Sequence, residues 1–253
     1  MFNKIIIANW KMNPDNREEA EKLASLSDRE GVVICPPFVF METVLKAVKK
    51  GKVGAQNCFC EEKGAFTGEV SPLALKNMGC EYVITGHSER RNILQETSEN
   101  VNRKAKKTMN LGLKTVVCVG EKKECKCDER DYENAEYIKK QLQESLLETS
   151  PENLIIAYEP VSAIGSGCPI PTYIAKDRMN FIKKVLIDIY QIKVDDEEDI
   201  ASVDINIPIL YGGSVNKDNA SSYLYDAGFD GLLVGGASLN GEHFQKICEK
   251  IKK

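Results

Sequence analysis

Histidine and tryptophan are nearly absent: the 253 residues include two of the first and one of the second. A catalytic metal centre built on three imidazoles therefore lacks material, and no metal is expected. Long apolar runs are missing as well. No stretch approaches the ~18 uncharged apolar residues a membrane helix needs, and the opening MFNKIIIANW offers only Ile5 to Ala8 before Asn9, too short for a signal-peptide core. A cytoplasmic protein that meets no membrane is the expectation. Charge of one sign is not in excess either: 34 Lys and Arg stand against 38 Asp and Glu, a net charge of −4. Without a basic block, nucleic acid is a poor partner, and a small molecule is the better one.

Cysteine is plentiful, but its nine copies are an odd number, which a closed set of disulfides would not use up. Most read as free thiols. Cys58-x-Cys60 and Cys125-x-Cys127 could each form half of a zinc site, yet the spacing is not the usual C-x2-C and the histidines are too few. No Pro, Gly or Ser-rich linker divides the chain, so residues 1–253 read as a single domain, with one polar excursion at Val194–Ala201.

What is there alternates. Short β-branched or apolar runs recur at Ile5–Trp10, Val32–Cys35, Val53–Gln56, Tyr82–Thr85, Thr115–Val119, Leu154–Tyr158, Ile207–Tyr211 and Gly231–Val234. Each reads as a buried strand rather than an alternating one. Between them, stretches with helical spacing run over Glu18–Ser27, Glu42–Lys50, Val101–Leu111, Glu133–Leu147, Thr172–Ile189, Asn219–Ala227 and His243–Ile251. Eight strands, each followed by a helix or a loop and helix roughly every 30 residues, form the pattern of an α/β fold, a closed parallel (β/α)8 TIM barrel. An open doubly wound sheet is the competing layout.

In such a barrel, chemistry sits in the loops after the strand C-termini. Five of the eight exits carry reactive or glycine-rich residues: Asn9-Trp10-Lys11, Gly86-His87-Ser88-Glu89-Arg90, Glu159-Pro160, Gly212-Gly213-Ser214 and Gly235-Gly236. Singly, each has a plainer reading. Lys11 could be a surface cation, Ser88 a helix cap, His87 a satisfied structural residue, and Glu159 a charge at a helix N-terminus. Their joint place at one rim favours a site. The two Gly-Gly pairs, on consecutive strand-helix units, suit an anion nest for phosphate. A carboxylate, an imidazole and an ammonium around it are equipment for moving a proton next to a carbonyl.

The segments ANWKMN (8–13), GAQNC (54–58), KGAFTGEVSP (63–72), ITGHSERR (84–91), YEPVSAIGSG (158–167), YGGSV (211–215) and LLVGGASL (232–239) resemble those of the triosephosphate isomerase family, almost end to end. The resemblance implies interconversion of dihydroxyacetone phosphate and D-glyceraldehyde 3-phosphate, in glycolysis and gluconeogenesis, without metal or organic cofactor. By the same resemblance Glu159 is the base and His87 the electrophile, a neutral imidazole whose pKa a helix N-terminus lowers. Lys11 and Asn9 hold the substrate oxygens, and Gly165, Ser214, Gly235 and Gly236 grip the phosphate. Glu89 is a carboxylate close to the lysine, and Cys118 is a buried thiol beside the base. A homodimer is implied, with Thr67 at the tip that the partner receives. That tip, Ala65-Phe66-Thr67, is apolar and would protrude awkwardly from a monomer.

Residues 160–170 resemble the family's mobile lid, which shields an enediolate that would otherwise eliminate phosphate. Here the chain departs from the family pattern of Pro-Val-Trp and Gly-x-Gly-Lys, having Pro160-Val161-Ser162 and Gly167-Cys168-Pro169. A metal-dependent epimerase would need more His and Asp ligands at the strand exits. A barrel that binds sugar phosphates or a protein partner without turnover is favoured only by the missing hinge tryptophan.

Overall fold

The computed structural model describes residues 4–121, 132–163, 169–194, 200 and 203–251. Eight strands, β1 (Ile5–Asn9), β2 (Val32–Cys35), β3 (Lys52–Ala55), β4 (Tyr82–Thr85), β5 (Lys114–Gly120), β6 (Leu154–Glu159), β7 (Ile209–Tyr211) and β8 (Gly231–Val234), pair in parallel in chain order. β8 returns to β1, with Ile7 opposite Leu233 on one side and Val33 on the other. The sheet is a closed TIM barrel and has no edge to protect. Outside it lie α1 (Arg17–Ser27), α2 (Met41–Ala47), α3 (Pro72–Met78), α4 (Ser88–Ile93), α5 (Ser98–Asn110), α6 (Tyr132–Ser145), α7 (Thr172–Tyr190) and α8 (Gly241–Cys248).

Side chains alternate across each strand with a period of two, and this divides the core. Ile7, Val33, Tyr82, Ile84, Val116, Cys118, Ile155, Ala157, Leu210 and Leu233 fill the inside. Ile6, Ala8, Ile34, Val83, Val117 and Ile156 belong to the larger cluster under the helices. The same period places the site: two residues beyond Ile7 is Asn9, and two beyond Ala157 is Glu159, so both face inward at the barrel mouth. Helix starts are marked by local chemistry. Asn16 accepts the Glu19 N–H at 2.9 Å and Thr97 accepts that of Asn100 at 3.2 Å; these side chains satisfy donors that the first helical turn leaves open.

Several boundaries differ from the sequence reading. Two short helices, α3 and α4, were not marked by spacing. The expected helix over Asn219–Ala227 is mainly a π-helical turn, Ser222–Asp226. β7 starts at Ile209 rather than Ile207, because Pro208 has no N–H to give a ladder. β1 stops before Trp10, where the chain turns through a left-handed Lys11 (φ 55). Gly165, Cys125-x-Cys127, Cys168 and most of the 194–201 excursion lie outside the described residues. Among those described, Cys35, Cys58, Cys60, Cys80, Cys118 and Cys248 are buried free thiols. Among the described residues no group of three or more metal-type ligands occurs, and no helix is long and apolar enough to cross a membrane.

Candidate active site

Each strand exit meets the next through a local device. Lys11 adopts its left-handed backbone because two bonds hold it: its own N–H donates to Asn9 Oδ1 at 3.1 Å, and Gln56 Nε2 donates to its carbonyl at 2.7 Å. A non-glycine residue in this region costs on the order of 1–3 kcal/mol and persists where surroundings over-determine it. Gln56 also donates to the Cys35 carbonyl at 2.9 Å, tying the exits of β1, β2 and β3 together. The turn carries the Lys11 ammonium over the mouth, where it lies 2.5 Å from Glu89 Oε1. Both partners are partly exposed, so solvent and salt screen the pair.

β4 leaves the barrel through Gly86 (φ 68). A Cβ there would stand 2.8 Å from Nη2 of Arg91 and 2.9 Å from Val101, so glycine is required by both conformation and space. The half-buried Arg91 guanidinium donates to the Gly86 carbonyl at 2.8 Å and to the Cys118 carbonyl at 3.2 Å. His87 follows, caps α4, and is almost fully buried. Its Nδ1 accepts the Glu89 N–H at 3.2 Å; a nitrogen that accepts has no proton, so the imidazole carries its proton on Nε2. That Nε2 lies 3.0 Å from Glu159 Oε1.

Glu159 is 2% exposed. Burial works against its charge, but the facing His87 and the Ser88 N–H, 2.8 Å from Oε2, outweigh it and hold the carboxyl below its ordinary value. Oε1 has no hydrogen bond of good geometry, so one lone pair of an ionised carboxylate stays available. For His87, burial again opposes charge, yet the Glu159 carboxylate prevails and raises the imidazole above its ordinary value. The family resemblance implied a lowering. The helix N–H on Nδ1 does act in that direction, and the carboxylate offsets it while it rests beside the ring. Cys118 stands behind Glu159; burial first, then that carboxylate, push its thiol well above the ordinary range, so it packs and does not react.

The opposite wall is glycine-rich. Gly212 and Gly235 are set by close approach: a Cβ at Gly212 would meet Glu159 Cγ at 3.0 Å, and one at Gly235 would meet Lys11 Cε at 3.2 Å. Ser214 donates its hydroxyl to the Ala163 carbonyl, and a 3-10 turn begins at Gly236, where the first backbone N–H groups of a turn find no partner within it. Asn9, Lys11, His87, Glu159, Gly212, Gly213, Ser214, Gly235 and Gly236 line one cavity of about 390 Å3, the size of a small metabolite site. Every proposed site residue within the described part thus converges there. The sequence reading missed Gln56, although it closes the third strand run and the same exit rule would have found it, and it missed the part played by Arg91.

Comparison with known proteins agrees in extent with this geometry. The triosephosphate isomerase family pattern matches residues 4–251. The triosephosphate isomerase of Dictyoglomus thermophilum is 42% identical, over 98% of this chain and 100% of that protein. That of Dehalococcoides mccartyi is 41% identical over 97% and 96%, and that of Natranaerobius thermophilus 37% identical over 100% and 98%.

Proposed function

The chain belongs to the triosephosphate isomerase family and is an isomerase, and on that premise we propose that it interconverts dihydroxyacetone phosphate and D-glyceraldehyde 3-phosphate as one domain over residues 1–253. Glu159 removes a proton from one carbon of the bound substrate and returns it to the neighbouring carbon. His87 gives its Nε2 proton to the developing oxyanion and recovers one from the adjacent oxygen, so the enediolate forms and collapses with no net change in protons. The Lys11 ammonium and the Asn9 side chain hold those oxygens, and Gly165, Ser214, Gly235 and Gly236 take the phosphate. No metal or organic cofactor is required, because base, proton carrier and cation are all side chains.

The observation that carries this reading is the approach of His87 Nε2 to Glu159 Oε1, 3.0 Å apart, on one wall of a cavity that Lys11 and two Gly-Gly loops complete. We further propose a cytoplasmic homodimer serving glycolysis and gluconeogenesis, joined through the Thr67 loop. Its support is an exposed loop whose apolar surface is uncovered: Phe66 is 43% exposed while its ring lies 4.7 Å from that of Phe59. Met12, next to Lys11, is 92% exposed, the kind of surface a partner covers. A coupled assay on the purified protein tests the reaction: conversion of either triose phosphate supports it, and binding without conversion would contradict it.

A further inference from the structure

Tyr223 lies outside the cavity, in the π-helical turn Ser222–Asp226 between β7 and β8, and is 2% exposed. Such turns in otherwise helical stretches recur at functional positions. Two contacts define this one. Its phenol donates to the carbonyl of Ile170 at 2.6 Å, and its ring stacks on that of Tyr211 with centroids 3.7 Å apart and planes 14° from parallel.

One contact leads toward the cavity, since Tyr211 immediately precedes residues that line it, and the other holds the segment before α7. Ile170 is flanked by Pro169 and Pro171, neither of which has an N–H to donate. That short strap, which leads into α7 and buries the Ile170 side chain in the core, can be hydrogen-bonded from outside only through carbonyls or the single Ile170 N–H. The Tyr223 phenol supplies one such hold. Tyr211 closes β7 and runs directly into Gly212, Gly213 and Ser214, which line the cavity. Ser214 in turn holds the Ala163 carbonyl. One buried side chain therefore braces the start of the glycine loop with its ring and the strap before α7 with its hydroxyl.

We propose that Tyr223 is a positioning residue for the anion end of the site, setting the 211–214 loop and the Ile170 strap at the separation a phosphate group needs. The inference rests on the reading of that end as the phosphate site. Pre-set backbone donors bind without further ordering, so loosening either brace weakens binding more than it slows proton transfer.

The test compares wild type with Tyr223→Phe, which keeps the stack and removes the hydroxyl, and Tyr223→Leu, which removes both. Inorganic phosphate serves as the probe, as a competitive inhibitor and by calorimetry without turnover. A net hydrogen bond corresponds to a factor of roughly 2–12. Tyr223→Phe should weaken phosphate binding and raise KM by about that factor while kcat falls less, and Tyr223→Leu should go further in the same order. Unchanged phosphate affinity and KM in Tyr223→Phe, with only a lower thermal midpoint, would leave Tyr223 a packing residue and overturn the proposal. If Tyr223→Leu does not fold, Tyr223→Phe decides alone. A wild type that neither turns over triose phosphate nor binds phosphate would instead overturn the reading of the site itself.

Discussion

The Ser88 backbone N–H donates to Glu159 Oε2 at 2.8 Å, so the first turn of the helix that His87 caps also docks the carboxylate. A single short helix thereby fixes the His87 ring through the Glu89 N–H and stabilises the charged form of Glu159 through the Ser88 N–H. Both effects are those of unpaired donors at a helix start.

This contact can be removed without removing the helix. Ser88 is the first helical position, where proline is tolerated, and His87 (φ −52, ψ 141) already has the extended backbone a residue before proline requires. Ser88→Pro deletes the N–H and, with it, the Ser88 hydroxyl, both of which favour the carboxylate, so the Glu159 pKa must rise from its lowered position. The acid limb of kcat/KM should move to higher pH relative to wild type. The substrate phosphate, with a pKa near ~6, titrates equally in both enzymes and cancels in the comparison. Superimposable limbs would show that Ser88 does not tune Glu159.

Lys11→Met removes the ammonium while keeping most of the stem. One positioned stabiliser of a developing oxyanion is worth on the order of 10²–10³ in rate, and a loss of that size is expected in kcat with the far-ultraviolet circular dichroism unchanged. Retention of most activity would remove Lys11 from the oxyanion role.

Much of this was legible in the sequence, and the reason is periodicity. Continuous β-branched runs marked the strands, and counting two residues past an inward Ile7 or Ala157 reaches Asn9 and Glu159 at the mouth. What could not be read depends on tertiary bonds. The left-handed Lys11 is held by Gln56 from another strand, and the Gly86 turn is shaped around the Arg91 guanidinium. The pKa direction of His87 follows from a carboxylate 71 residues away along the chain from Ser88. The helix expected over Asn219–Ala227 became a π turn, in which Tyr223 stacks on Tyr211 and reaches Ile170.

Assembly gives a separate expectation. The protein should sediment as a dimer at micromolar concentration, and Phe66→Glu, which places a charge on the exposed ring position, should shift it toward monomer. A fully active wild-type monomer at that concentration would contradict the proposed role of the Thr67 loop.

The departures around residues 160–170 act in opposite directions. Ser162 stands where the family resemblance implies a large aromatic hinge, and Pro169 fixes a backbone angle beside the Ile170 strap. Replacing proline by glycine frees the chain by about 0.4–1 kcal/mol. Pro169→Gly should therefore let the site open more often and raise methylglyoxal released per isomerisation by about 2–5-fold. An equal yield in both forms would show that Pro169 does not govern closure.

The central claim is that Glu159 carries the proton between carbons, and Glu159→Asp tests it most directly. The change keeps a carboxylate and withdraws it by about one methylene, and a misplacement of about 1 Å can cost roughly 100-fold in rate. Steady-state kinetics on the purified variant should show kcat lower by about that factor with KM nearly unchanged. Wild-type-like turnover in Glu159→Asp would contradict the assignment of Glu159 as the base.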